Sequence, residues 1–158
     1  MKSWATLIAS LGAVSAFAQS EETSLFERLV PDHGFHPAVI HFPIALFIFG
    51  ALLEVFGWVK GRDSIRQAGF WNMAAGALST LVAIPTGLII FYRSDYTWQG
   101  KVLIHVGAAA AATLLMFGVV IWRRKKPLTS PAYAVLLALS VIAVGAAGHF
   151  GGQLIYGQ

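Results

Sequence analysis

The stretch HPAVIHFPIALFIFGALLEVFGWV, residues 36–59, decides the fold, because it is long and apolar enough to cross a membrane as a helix. A bilayer requires about 20 consecutive apolar residues, and the only formally charged side chain here is Glu54. Pro37 suits a first helical turn, where its missing N–H costs nothing. Three similar stretches follow, at about residues 69–92, 102–122 and 132–150. Short loops join them, so we predict an all-α membrane protein with four transmembrane helices in an up-and-down bundle.

Composition supports a membrane protein and limits its chemistry. Of the 158 residues, 57% are hydrophobic and only 11% are charged, which is not the composition of a soluble protein. The chain has no cysteine, which excludes disulfides, iron–sulfur ligation and the covalent attachment of a c-type haem. Any haem must therefore be bound non-covalently, and histidine is the main side chain left to hold it or a metal ion.

The basic residues predict how the chain is oriented. Two loops, between spans one and two and between spans three and four, carry most of the lysines and arginines, and the positive-inside rule places these loops in the cytoplasm. The N-terminus after cleavage and the C-terminus are then periplasmic. The basic residues of these two loops account for the net charge of +4, so this charge does not indicate a nucleic-acid partner. The basic residues of the two loops are Lys60, Arg62, Arg66, Arg123, Arg124, Lys125 and Lys126.

The first 35 residues precede the four spans. Residues 1–18 are typical of a signal peptide, with Lys2, a short apolar run and a small-x-small end at Ala16-Phe17-Ala18; the alternative is an uncleaved anchor. Residues 19–35 are polar, and Ser24 and Glu27 match a capping box. We expect a periplasmic segment with a short amphipathic helix there, or else a disordered linker. Residues 36–158 form the transmembrane domain.

Four histidines fall at the periplasmic side of the predicted bundle. His36 and His41 open the first span, His105 opens the third and His149 closes the fourth. From the helical rise, His41 and His105 are about 6 Å below the boundary, and the other two are shallower. Polar side chains inside a membrane are costly, so these four predict a functional site. The alternative is that each one only hydrogen-bonds to a carbonyl group or to water.

The deeper pair favours a redox function. Spans one and three are diagonal in the bundle, which leaves room for a haem b between His41 and His105. Arg93 and Lys101, on the same side, are candidates to bind the haem propionates. Imidazole also suits zinc, copper, iron and nickel, so a transition-metal ion on His36, His41, His105 and His149 is the second candidate. We therefore expect an electron-transfer subunit that works with redox proteins in the periplasm or membrane. A cofactor-free scaffold or accessory subunit and a small transporter remain the alternatives.

Two further patterns concern packing. Glu54 lies near the cytoplasmic end of span one, and we expect it to extend to that interface and to pair with Asn72, Lys60 or Arg62, rather than to carry a proton or an ion. Small residues are concentrated in spans three and four, at 107–112 and 145–152. Such residues let membrane helices approach closely, so we expect these spans to pack tightly against their neighbours; the alternative is that the small side chains leave room for a flat cofactor.

The opening His36-Pro37-x-x-x-His41-Phe42-Pro43 resembles the start of a bacterial four-span membrane domain, the domain of unknown function 2231. The resemblance extends over roughly residues 35–157, through Thr86-Gly87 and His105 to Gly148-His149-x-Gly151-Gly152. It implies the four-span fold and a bacterial inner membrane, and it suggests redox partners but no settled activity. Gln153 departs from the acid expected in many relatives, which argues against a metal role for the C-terminal segment.

Overall fold

The computed structural model describes residues 35–125 and 130–157, which form four helices. All four are long and apolar enough to cross a membrane, which confirms the all-α, four-span prediction. The predicted signal peptide, and the predicted amphipathic helix before residue 35, lie outside the described residues. The helices are α1 (Phe35–Val59), α2 (Asp63–Arg93), α3 (Gly100–Lys125) and α4 (Pro131–Tyr156).

The helices extend beyond the apolar stretches that predict them. α2 begins at Asp63, six residues before the predicted start, and α4 continues to Tyr156. Hydropathy detects only the part of a helix that lies in lipid, whereas backbone hydrogen bonds continue through polar residues at the interface. The turn between α1 and α2 is tight and uses Gly61 at a φ of 62°, a conformation that glycine adopts without steric cost.

Glycines bring α1 and α2 into backbone contact. A Cβ atom on Gly50 would lie 2.7 Å from the carbonyl oxygen of Gly69, and a Cβ on Gly69 would lie 2.7 Å from the carbonyl oxygen of Gly50. Gly76 packs in the same way against Phe47. On α3, by contrast, a Cβ on Gly107 would meet no atom within 4 Å. The backbones of α3 and α4 nevertheless approach each other closely over much of their length, as the small residues of spans three and four predict.

The centre of the bundle is apolar and comes from all four helices. Phe47, Met73 and Val119 are fully buried, and Met116 and Val144 are 2% and 3% exposed. Polar side chains are concentrated on either side of this layer. We call the side that holds His36 and His105 the histidine end, and the side that holds Glu54, Arg66 and Arg123 the basic end.

Candidate functional site

The histidine end presents two of its four histidines to the interior of the bundle. His36 on α1 and His105 on α3 are half-buried, whereas His41 and His149 are exposed. The two half-buried imidazoles are close enough to influence each other electrostatically. The structure therefore brings His36, and not His41, together with His105.

Thr86 fixes the orientation of His36. Its hydroxyl lies 2.8 Å from Nδ1 of His36 and donates its single proton to the carbonyl oxygen of Ala83, 2.7 Å away. Because that proton is already used, the hydroxyl accepts a hydrogen bond from Nδ1–H of His36. The neutral ring then carries its proton on Nδ1 and a lone pair on Nε2.

His105 is oriented in the same way by a different acceptor. Its Nδ1 lies 3.0 Å from the carbonyl oxygen of Ala147 on α4. A carbonyl oxygen can only accept, so Nδ1 of His105 is the donor and Nε2 again carries the lone pair. Both rings thus have the same tautomer, set by acceptors on the helix packed beside their own.

Each of the two imidazoles also lies against a glycine. A Cβ on Gly87 would lie 2.9 Å from Cε1 of His36, and a Cβ on Gly151 would lie 2.8 Å from Cε1 of His105. Any larger residue at these positions would force the rings to move. Thr86-Gly87 and Gly151-Gly152, two of the pairs that carry the family resemblance, therefore have a structural role, because Gly87 and Gly151 contact the two imidazoles.

His36 lies deeper in the bundle than its position near the start of α1 suggests. Its partner Thr86 precedes the end of α2 by seven residues, or about 10 Å of helix. α2 thus extends well past the first turn of α1. His36 therefore contacts the body of α2, although it is the second residue of α1.

The two exposed histidines have local partners. Nδ1 of His41 donates to the carbonyl oxygen of Pro37, one turn earlier in α1. Nε2 of His149 accepts a hydrogen bond from the Gln153 amide, at 3.0 Å, one turn later in α4. Within residues 35–125 and 130–157, no three metal-binding side chains come close enough to hold one ion.

The loop from 94 to 99 lies at the histidine end and is joined to the end of α4. The Tyr96 hydroxyl donates to the carbonyl oxygen of Leu154 at 3.2 Å, and Lys101 Nζ donates to the carbonyl oxygen of Gly157 at 3.2 Å. The ring of Trp98 packs on Phe91 with centroids 4.2 Å apart. Lys101 and Arg93, the predicted propionate ligands, are exposed at this end of the bundle.

The basic end contains a buried ionic cluster, which corrects the expectation for Glu54. This residue is 2% exposed and does not extend to the interface. Its carboxylate accepts from Arg66 Nε at 3.3 Å and from Arg123 Nε at 3.4 Å, and not from the expected Asn72, Lys60 or Arg62. The hydroxyl of Tyr133, on α4, is buried and has no hydrogen-bond partner among the described residues. Arg66 lies just before the apolar stretch of span two, and Arg123 lies just after that of span three. In the predicted topology both are therefore at about the depth of Glu54, and this is the feature of the sequence from which the pairing could have been predicted.

Four membrane-length helices with a polar group at each end define an integral membrane protein of the four-span class. A sequence model of the family described as "Predicted membrane protein (DUF2231)" matches residues 32–158, and the chain belongs to this family. The resemblance found in the sequence is thereby confirmed. No curated protein and no solved structure matches the chain.

Proposed function

We propose that this protein is an electron-transfer subunit that holds a redox group between His36 and His105, with a haem b as the first candidate. The observation that carries the proposal is the matched hydrogen bonding of the two half-buried imidazoles. Each donates Nδ1–H to a fixed acceptor and directs its remaining lone pair from Nε2. Metal-binding histidines in proteins are oriented in this way by a partner on the other ring nitrogen.

The donor set fits a haem better than it fits a bare metal ion. His36 and His105, two neutral imidazoles on different helices, would be enough protein ligands to hold a haem, because the porphyrin itself supplies the remaining ligands of the iron. A structural or catalytic zinc needs at least three protein ligands, and the described residues bring together no such group. When bound, the haem would supply one-electron chemistry; the protein would supply the ligands and exclude water.

Positively charged residues at the histidine end suit an anionic group. Arg93 and Lys101 provide positive charge for carboxylates at the mouth of the site. Lys101 is already held near the C-terminus of α4 by its bond to Gly157, so its ammonium group has a defined position. His41 and His149 lie on exposed faces, and we assign them no ligand role.

We place the protein in a bacterial inner membrane with the histidine end facing the periplasm. The support is the concentration of lysine and arginine in the loops at the opposite end. Its electron partners would then be redox proteins of the periplasm or the membrane. A transporter fits the molecule less well, because the side chains of the central layer, including Phe47 and Met73, are apolar and fully buried.

The experiment is a visible spectrum and a metal analysis of protein purified after expression with added haem precursor and metals. We expect a Soret band with the features of six-coordinate, low-spin haem. His36→Ala and His105→Ala should each abolish it, while the exposed controls His41→Ala and His149→Ala should retain it. Bound metal without a Soret band would show that the redox group is a metal ion and not a haem. Absence of both would refute the redox function and leave a cofactor-free scaffold.

A further inference from the structure

A cleft opens between α1 and α4 on the membrane-facing side of the basic end. Its volume is about 770 Å³. Its floor includes Ala51 and Leu137, and its walls include Leu52, Val55 and Ile142, which are 62%, 46% and 66% exposed. Glu54 and Tyr133 also contribute to the floor, but both are nearly fully buried, so they present little polar surface. Whatever fills the body of this cleft must therefore be apolar.

The length of the cleft matches one leaflet of a bilayer. On α1 it runs from Ile48 to Trp58, about 15 Å of helix, and on α4 from Pro131 to Ile142, a similar length. The hydrocarbon core of a bilayer is about 30 Å thick. A transmembrane helix of a second copy would need a contact surface that extends through the full thickness of the bilayer. An acyl chain of one leaflet ends near the midplane, and the length of the cleft agrees with this.

The outer mouth of the cleft is suited to an anionic head group. Ser130 and Trp58 line this mouth, and Ser130 is the N-cap of α4 with a side chain that makes no capping hydrogen bond. A helix N-terminus carries partial positive charge. The adjoining sequences are basic, with Lys60 and Arg62 after α1, Arg124 and Lys125 at the end of α3, and Lys126 between α3 and α4. Basic pockets between transmembrane helices at this depth suit phosphate-bearing head groups.

We propose that one anionic phospholipid of the leaflet at the basic end binds in this cleft. An acyl chain lies between α1 and α4 on the floor formed around Ala51, and the phosphate lies at the mouth beside Ser130. This proposal does not depend on the redox function, because the cleft is at the opposite end of the bundle from His36 and His105.

The test is native mass spectrometry of delipidated full-length protein to which phosphatidylglycerol or phosphatidylcholine with identical acyl chains is added. We expect one phosphatidylglycerol per chain, bound about fivefold more tightly than phosphatidylcholine, the ratio that one additional cationic contact provides. Ser130→Ala should reduce this preference. Equal binding of the two lipids would refute the anionic selectivity.

A substitution that fills the cleft separates specific binding from general lipid contact. Ala138→Trp places a large side chain in the cleft, and Ala111→Trp on α3 is the matched control because it is also exposed but does not line the cleft. We expect only Ala138→Trp to lose the bound lipid, with unchanged helix content by circular dichroism. Equal loss in both variants would refute the site. A wild-type dimer that Ala138→Trp dissociates would assign the cleft to a second copy instead and would also refute the proposal.

Discussion

Thr86 holds the imidazole of His36 in one orientation, so replacing this threonine by valine tests the site without changing its shape. In Thr86→Val the Nδ1–H of His36 loses its acceptor. Loss of such a partner lowers the affinity of a histidine-held metal group by about 10-fold to 100-fold, and we expect a loss of that size for the haem. The measurement is a haem titration followed by the Soret band.

Thr80→Val is the matched control for this substitution. Thr80 is buried on the same helix, and its hydroxyl donates to the carbonyl oxygen of Ala77 and contacts no histidine. Its haem affinity should equal that of the wild type. Equal affinities for both valine variants would show that Thr86 does not orient a ligand.

Glu54 pairs with two arginines inside the bundle, so its charge is expected to contribute to stability. Removing one partner of a buried ion pair costs about 3 kcal/mol or more, because it leaves the other charge uncompensated. Arg66 and Arg123 retain 16% and 18% side-chain exposure, which places the expected cost of Glu54→Gln at the lower end, about 3 kcal/mol. Unfolding in mixed micelles measures it.

Asp63→Asn provides the comparison for the Glu54 substitution. Asp63 also pairs with Arg66, at 3.4 Å, but its side chain is 96% exposed. Exposed ion pairs contribute about 0–1 kcal/mol, so this variant should unfold almost as the wild type does. If Glu54→Gln were equally mild, the carboxylate would be solvated and the buried cluster would not exist in the membrane.

For the individual histidines, the sequence predicts the end of the bundle at which they lie, but not which of them face the interior. His36 and His41 are five residues apart, which rotates them by about 140° around the helix. One helix face therefore cannot present both to the interior. Apart from His36, His41 and Glu54, α1 is apolar on all sides, so its sequence has no continuous polar face to show which histidine points inward. Only the packing against Thr86 and Gly87 decides the matter.

Among the helices, the α1–α2 hairpin depends on glycines that allow two backbones to touch. Gly50→Ala would place a methyl group 2.7 Å from the carbonyl oxygen of Gly69 and 2.7 Å from the amide nitrogen of Met73. Backbone atoms cannot move aside as a side chain can, so we expect destabilisation of about 3 kcal/mol despite alanine's higher helix propensity. Thermal unfolding in detergent measures this loss.

Gly107→Ala is the control for the hairpin substitution, since a Cβ there meets nothing within 4 Å. The gain in helix propensity should make this variant as stable as the wild type or slightly more stable. A similar response of both variants would mean that the two helices do not approach each other as closely as the structure shows.

The number of helices follows from the sequence, whereas their pairing contacts do not. Lipid permits a spanning chain only if its backbone groups are satisfied within the segment, so four long apolar stretches are sufficient to predict four helices. Which glycines form contacts depends on spacing and rotation together. Gly50 and Gly57 on α1 are seven residues apart, as are Gly69 and Gly76 on α2, and this repeat is less visible than the dense alanine and glycine runs of α3 and α4.

For the molecule as a whole, orientation in the membrane is the property on which the proposed location depends. The chain has no cysteine, so a single introduced cysteine reports its own position. We expect an impermeant maleimide to label Thr97→Cys in intact spheroplasts, and to label Ser64→Cys only after the membrane is permeabilised. Both positions are exposed and lie at opposite ends of the bundle. The reverse pattern would place the histidine end in the cytoplasm.

The apolar layer at the centre of the bundle has a consequence for energy conversion. Phe47, Met73, Met116 and Val144 separate the histidine end from the basic end, and Thr80 and Ser140, the buried hydroxyls beside this layer, bond only within their own helices. A redox group held at the histidine end would exchange both electrons and protons on a single face. Its turnover would be electrically silent: it would neither generate a transmembrane voltage nor change speed when one is applied.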